Sequence, residues 1–182
     1  AEFFGHPSRE MTVVGITGTN GKTTTGYLVS AIFEAAGITC GLMGTVTYRV
    51  GSDEFAATRT TPEAPEVQGL MRQMVTAGCG ACVMEVSSHA LALRRVDGIR
   101  FAAGIFTNLT RDHLDFHADI EDHFAAMRRL FEMLPEGAPA VVNVDDPRGV
   151  ASAGSVARPV SCPISRFAAF PTGHLSFSPP GP

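Results

Sequence analysis

Residues 13–25 read Val13-Val14-Gly15-Ile16-Thr17-Gly18-Thr19-Asn20-Gly21-Lys22-Thr23-Thr24-Thr25. An apolar strand thus runs into a glycine- and threonine-rich loop, a lysine and a hydroxyl-rich helix start. Such a loop can turn its backbone N–H groups inward because glycine tolerates the backbone angles required, and the helix start adds partial positive charge. Lys22 would bring a full charge to the β- and γ-phosphates of a nucleotide, and the Thr23 hydroxyl an oxygen for Mg²⁺. The general phosphate-loop pattern wants a glycine five residues before Gly21. Ile16 stands there, and Gly18 offers a shorter loop instead. The alternative reading is a strand-to-helix turn that carries Gly-Lys-Thr by chance.

The other polar clusters follow apolar runs. After Ala81–Met84 come Glu85-Val86-Ser87-Ser88-His89, and after Phe101–Phe106 come Thr107-Asn108-Leu109-Thr110-Arg111-Asp112-His113-Leu114-Asp115. Ligands of open α/β sheets gather at the C-terminal strand ends, so both clusters belong beside the phosphates. The Glu85 carboxylate and the His113 imidazole are candidate Mg²⁺ ligands, Glu85 more naturally because Mg²⁺ favours oxygen. The bland alternatives are a solvated strand-end glutamate and a helix-end histidine. His113 and His117 lie one helical turn apart, as in zinc hydrolases, but Leu114 occupies the position where that motif needs glutamate. Cys79 and Cys82 have redox-motif spacing, yet Cys82 opens an apolar run and no second pair exists; with Cys40 and Cys162 they read as free thiols.

The elements that would position these groups alternate between strand and helix. Thr23–Ala36 reads as a helix with Tyr27, Leu28, Ala31, Ile32 and Ala35 on one apolar stripe and Gly37 as its C-terminal cap. Ile38–Tyr48 is β-rich and broken by Gly41 and Gly44; Gly51-Ser52-Asp53 is a turn with a hairpin return over Glu54–Thr58. Thr60-Thr61-Pro62-Glu63 opens a helix of about fifteen residues, capped by Thr61, that Gly78 or Gly80 closes. Ala81–Val86, Phe101–Thr107 and Pro139–Val144 read as strands, Ile120–Leu134 as a helix, and Asn143-Val144-Asp145-Asp146-Pro147 as a turn. Short, nearly all-apolar strands separated by helices predict an α/β fold of the P-loop type, a mostly parallel sheet with helices on both faces.

The 182 residues, 45% hydrophobic, suffice for one good core. Fourteen basic against eighteen acidic residues give a formal charge of -4 without a basic run, which speaks against nucleic acid. No apolar stretch reaches the ~20 residues that cross a bilayer and no signal peptide is visible, so no membrane association and a cytoplasmic monomer are expected.

Taken together, Gly18-Thr19-Asn20-Gly21-Lys22-Thr23-Thr24, Thr60-Thr61-Pro62-Glu63, Glu85-Val86-Ser87-Ser88-His89-Ala90-Leu91 and Phe106 through Asp115 resemble the Mur ligases of peptidoglycan synthesis, in particular the members that add the third peptide residue. The resemblance runs from residue 1 to about 149, more faintly beyond. It implies an ATP-dependent amide ligase acting on UDP-MurNAc-dipeptide and an amino acid, diaminopimelate or lysine, with ATP and Mg²⁺ as cofactors. Gly18, Thr19, Asn20, Gly21, Lys22, Thr23, Thr24 and Asn108 would then surround the nucleotide; Thr23, Glu85 and His113 the metal; and Thr60, Thr61, Ser87 and Arg95 the acceptor. Lys22, Glu85 and His113 would carry catalysis.

Two departures accompany the resemblance. The family's carbamylated lysine, in an Ala-Ala-Lys context, is matched by Met127, whose thioether can neither be carbamylated nor bind Mg²⁺ well. The family's first domain, later nucleotide-binding segment and C-terminal domain are not found. The implied division is a linker over 1–10, an ATP-binding core over 11–149, and an incomplete domain edge or irregular tail over 150–182, expected to be inactive alone. A noncatalytic nucleotide-binding module and a generic P-loop NTPase or kinase stay open beside the ligase.

Overall fold

The computed structural model describes residues 1–110, 116–149, 164–169 and 175–177. Nine strands form one mixed sheet: β1 (Thr12–Thr17), β2 (Cys40–Met43), β3 (Thr47–Val50), β4 (Asp53–Ala56), β5 (Ala81–Glu85), β6 (Ala103–Phe106), β7 (Ala140–Asn143), β8 (Ile164–Ala169) and β9 (Leu175–Phe177). Their order is β4-β3-β2-β5-β1-β6-β7-β8-β9. From β2 to β8 every neighbouring pair is parallel, while β3, β4 and β9 add antiparallel edges. The strand before the candidate loop is therefore central, flanked by β5 and β6, whose C-terminal ends carry the two polar clusters.

Four helices complete the layers: α1 (Lys22–Ala35), α2 (Ala64–Thr76), α3 (Ser88–Ala92) and α4 (Ile120–Glu132). Side chains alternate along the central strands between two apolar clusters, as the two-residue strand period demands. Val13, Met43, Cys82 and Met84 join Met71 and Met74 of α2 and Met127, Leu130 and Phe131 of α4. Val14, Ile16, Leu42 and Val83 join Val29 and Phe33 of α1 on the opposite face. Buried on both sides, the strands need no polar face, which explains their apolar runs.

The expected packing face of α1 was wrong. Tyr27, Leu28, Ala31, Ile32 and Ala35 point to solvent, Ile32 with 67% of its surface exposed, while Gly26 and Ser30 are buried. Gly26 faces the sheet, where a β-carbon would lie at ordinary van der Waals distance, 3.7 Å from Leu42 and 3.9 Å from Ile16. Ser30 is satisfied by the Arg49 guanidinium, which donates to its hydroxyl. The face that packs is thus the one that carries Gly26, Val29, Ser30 and Phe33.

Thr61 does not cap the second helix. That helix starts at Ala64, with Glu63 at its N-cap, no side-chain cap and a proline in its first turn, because the Thr61 hydroxyl is drawn to the end of β5 instead. The short helix α3 was not expected at all; Ser87 caps it by accepting from the Ala90 amide at 3.2 Å. Residues 1–10 form two short 3₁₀ turns that Arg72 of α2 holds by donating to the carbonyls of Phe4 and Gly5 and pairing with Glu10. Cys40, Cys79 and Cys82 are buried free thiols. Cys162 lies outside the described residues.

Candidate functional site

The loop between β1 and α1 closes on itself and on its neighbour. The Lys22 ammonium donates to the carbonyl oxygens of Gly18 (2.7 Å) and Thr19 (2.9 Å), so it folds back across the loop. Gly21 sits in the left-handed region (φ 83°) and starts α1 without a side-chain cap. A helix start of this kind carries partial positive charge from its leading amides and its dipole.

The segment after β6 is laced to that loop. Asn108 accepts from the Thr19 amide through its backbone oxygen (2.8 Å) and from the Asn20 amide through Oδ1 (2.9 Å), and returns a bond from Nδ2 to the Asn20 carbonyl (3.1 Å). Thr107 donates to the Asn20 carbonyl (2.7 Å), and the Thr110 amide to the Thr19 hydroxyl (3.0 Å). Gly18, at φ 139°, is required by this contact: a β-carbon there would collide with Thr107 Oγ1 and approach Asn108 O to 2.9 Å. The amides of Thr19 and Asn20 are therefore occupied by Asn108 in this structure.

A second brace stands behind the first. Asn143, at the end of β7, donates to the Thr107 carbonyl (2.9 Å), and Asp146 accepts from the Leu109 amide (2.6 Å). The turn expected over 143–147 is present, and its polar side chains hold the 107–109 segment.

Glu85 ends β5, in register with Ile16 on β1, and the Val86 amide donates to the Ile16 carbonyl (2.8 Å). Its carboxylate therefore lies one strand away from the phosphate loop, and it is buried, 2% exposed. Oε1 accepts the Thr45 amide and Oε2 the Thr45 hydroxyl, both at 2.9 Å. Gly44 makes this closure possible, since a β-carbon there would sit 2.5 Å from Oε1. Among the described residues no salt bridge reaches Glu85, so a buried carboxylate waits with neutral partners only. An oxygen donor of that kind fits Mg²⁺ by its chemistry.

The candidate acceptor residues divide. Thr61 is 1% exposed and its hydroxyl is used twice, donating to the Glu85 carbonyl (2.8 Å) and accepting from the Ser87 amide (3.0 Å). Thr60 stays half-buried, its hydroxyl 3.1 Å from that of Thr45. Arg95 donates to the Thr61 carbonyl (3.3 Å) and pairs with Glu63 (2.9 Å). The structure thus gathers Thr45, Thr60, Thr61, Glu85, Ser87 and Arg95 into one network at the C-terminal end of β5. His113 lies outside the described residues, as do Arg111, Asp112, Leu114 and Asp115. His117 is buried between Ser88 (Nε2 to Oγ, 2.9 Å) and Asp122 (Nδ1 to Oδ2, 3.2 Å), which ties the start of α3 to that of α4. No cluster of three metal-ligating side chains occurs among the described residues, and the His113–His117 pair falls partly outside them. Met127 is 1% exposed and packed in the apolar cluster.

Sequence reasoning missed Thr45, Thr107, Asn143 and Asp146. Thr107 was legible as the first polar residue after β6. Thr45 had only its place after Gly44 to mark it.

Comparison with known proteins bears on the fold. Residues 16–168 match the family model for the Mur ligase middle domain. The UDP-N-acetylmuramoyl-L-alanyl-D-glutamate--2,6-diaminopimelate ligase of Geobacter metallireducens is 52% identical over 167 residues, which are 88% of this chain and 32% of that protein. The UDP-N-acetylmuramyl-tripeptide synthetase of Roseiflexus sp. is 49% identical over 161 residues, 81% of this chain and 32% of that one. A solved UDP-N-acetylmuramoyl-L-alanyl-D-glutamate--2,6-diaminopimelate ligase superposes with a TM-score of 0.76 at 28% identity, covering 87% of this chain and 32% of that structure. The chain spans about a third of the length of these relatives.

Proposed function

The chain belongs to the Mur ligase family as its middle domain, and on that premise we propose that it is the nucleotide-binding core of an ATP-dependent ligase extending UDP-MurNAc-dipeptide by its third residue. The observation that carries this reading is the buried Glu85 carboxylate one strand from the Lys22 loop, with the Thr60–Ser87–Arg95 network joined to it.

The chemistry asked of such a core is limited. A carboxylate is a poor electrophile, so a ligase first transfers the γ-phosphoryl group of ATP to the D-glutamyl carboxylate; the amine of the incoming amino acid then displaces phosphate. No covalent nucleophile is needed, only alignment of two mutually repelling anions and neutralisation of the transferring group. Lys22, folded over the loop carbonyls, exchanges those weak partners for phosphate oxygens. The start of α1 would face the same anion with its dipole, and Thr23 and Glu85 would hold Mg²⁺, whose charge would offset that of the phosphates. Asn108 and Thr107 keep the loop in shape. Ser87 and Arg95 lie where the acceptor would arrive.

The test is a chimera in which residues 16–168 replace the corresponding segment of the Geobacter metallireducens relative. Phosphate release that depends on both UDP-MurNAc-dipeptide and diaminopimelate or lysine supports the ligase. Release that needs neither overturns it in favour of an NTPase, and nucleotide binding without turnover overturns it in favour of an inert module.

A further inference from the structure

The hydroxyl of Thr45 lies between two groups that the proposed function treats separately, the Glu85 carboxylate and Thr60. A threonine hydroxyl has a single proton. At Thr45 that proton faces Glu85 Oε2 at 2.9 Å, and a carboxylate oxygen only accepts. The 3.1 Å contact between the Thr45 and Thr60 hydroxyls must then run from Thr60 to Thr45. The chain of donation is Thr60 Oγ1–H to Thr45 Oγ1, and Thr45 Oγ1–H to Glu85 Oε2.

We propose that Thr45 is the positioning residue of this site: it fixes the Glu85 carboxylate for a divalent cation and, by consuming the Thr60 proton, leaves Thr60 able only to accept from the acceptor. This deepens the proposed function and rests on its assignment of Glu85. Both carboxylate oxygens are oriented by one residue, Oε1 through the backbone amide and Oε2 through the hydroxyl, so the carboxylate plane is set before any cation arrives. Thr60 then recognises an N–H or O–H of its ligand, not a carboxylate. The bare Gly44 beside the carboxylate belongs to the same device, because any side chain there would force Oε1 away.

The experiment measures ATP affinity of the 182-residue chain by calorimetry, with Mg²⁺ and with a chelator, for the parent, Thr45→Val, Thr45→Ser, Thr60→Val and the double variant Thr45→Val/Thr60→Val. Thr45→Val preserves shape and the backbone amide while removing the hydroxyl. The expected result is that it cuts the Mg²⁺-dependent gain in affinity about tenfold, the order of a lost hydrogen bond to a charged group, and leaves affinity in chelator unchanged. Thr45→Ser restores the gain to within about twofold. Thr60→Val alone cuts it less, and adding it to Thr45→Val cuts nothing further, since the relay is already broken. A parent with no Mg²⁺-dependent gain overturns the assignment of Glu85 and this proposal with it. A parental gain that Thr45→Val leaves intact, or losses that multiply in the double variant, overturn the role of Thr45 alone. Should Thr45→Val fail to fold, the serine variant and Thr60→Val decide: loss in the serine variant or no loss in Thr60→Val overturns the relay.

Discussion

Replacing Gly18 by alanine strikes the contact that couples the phosphate loop to the segment after β6. Two costs combine. The first is backbone: at φ 139° an L-residue is strained by about 1–3 kcal/mol. The second is steric, because the new methyl collides with Thr107 Oγ1 and crowds the Asn108 backbone, 2.9 Å from its oxygen and 3.0 Å from its nitrogen. Relief means moving the 107–108 segment outward. That stretches the bonds from the Thr19 and Asn20 amides to Asn108 and from Thr107 to Asn20. At about 1 kcal/mol each, three weakened bonds add roughly 2–3 kcal/mol. The sum, about 3–6 kcal/mol, is a large part of a typical domain's stability of about 5–15 kcal/mol. Gly21→Ala is the internal control: its φ of 83° is also positive, but a β-carbon there meets nothing within 4 Å, so only the strain of about 1–2 kcal/mol applies. Urea unfolding followed by circular dichroism gives both numbers. Gly18→Ala should lose at least about 2 kcal/mol more than Gly21→Ala. Equal losses would refute the idea that the loop is held by contact with Thr107 and Asn108.

Further outcomes are expected. Asn143→Ala removes the donor to the Thr107 carbonyl and should cost about 1–2 kcal/mol by urea titration while weakening ATP binding, although Asn143 lies behind the loop and not in it. Met127→Lys places an ammonium in the apolar cluster and should cost several kcal/mol in the 182-residue chain without bicarbonate; a raised melting point and faster turnover in the chimera on adding bicarbonate would show that the lysine is carbamylated there. Burial pushes the Cys82 thiol well above the usual thiol range, so it should resist iodoacetamide at pH 8 at least about tenfold better in the folded than in the urea-unfolded chain, read by mass spectrometry. The Arg72 guanidinium holds the Glu10 carboxyl below its ordinary value, and Arg148 does the same for Glu121. A depressed folded-state value means that these pairs stabilise above the ordinary carboxylate range and lose that contribution as pH falls through and below it; Glu10→Gln should flatten the acid limb of the stability–pH curve slightly.

The central strands were legible because burial on both faces writes them as apolar runs, and the loop because glycine, lysine and threonine at fixed spacing have few other uses. The face of α1 was not. Its apolar stripe is longer than the face that packs, where Val29 and Phe33 meet the sheet and Arg49 reaches across to Ser30. Thr61 carried a plausible capping position, but a buried carbonyl at the end of β5 claimed its hydroxyl, which no local pattern reveals. Glu85 was legible from its place after an apolar strand. Thr45 was not, because its role comes from the β2–β5 pairing that brings residues 40 apart into contact.

The central claim, that the Lys22 loop and Glu85 together hold a magnesium-bound triphosphate, is tested most directly by calorimetry of ATP on the parent chain, Lys22→Met and Glu85→Gln, each with and without Mg²⁺. Lys22→Met should weaken binding in both conditions by at least about tenfold, whereas Glu85→Gln should erase the Mg²⁺-dependent gain alone. Parental affinity in the lysine variant, or a magnesium effect that survives at Glu85→Gln, would contradict it.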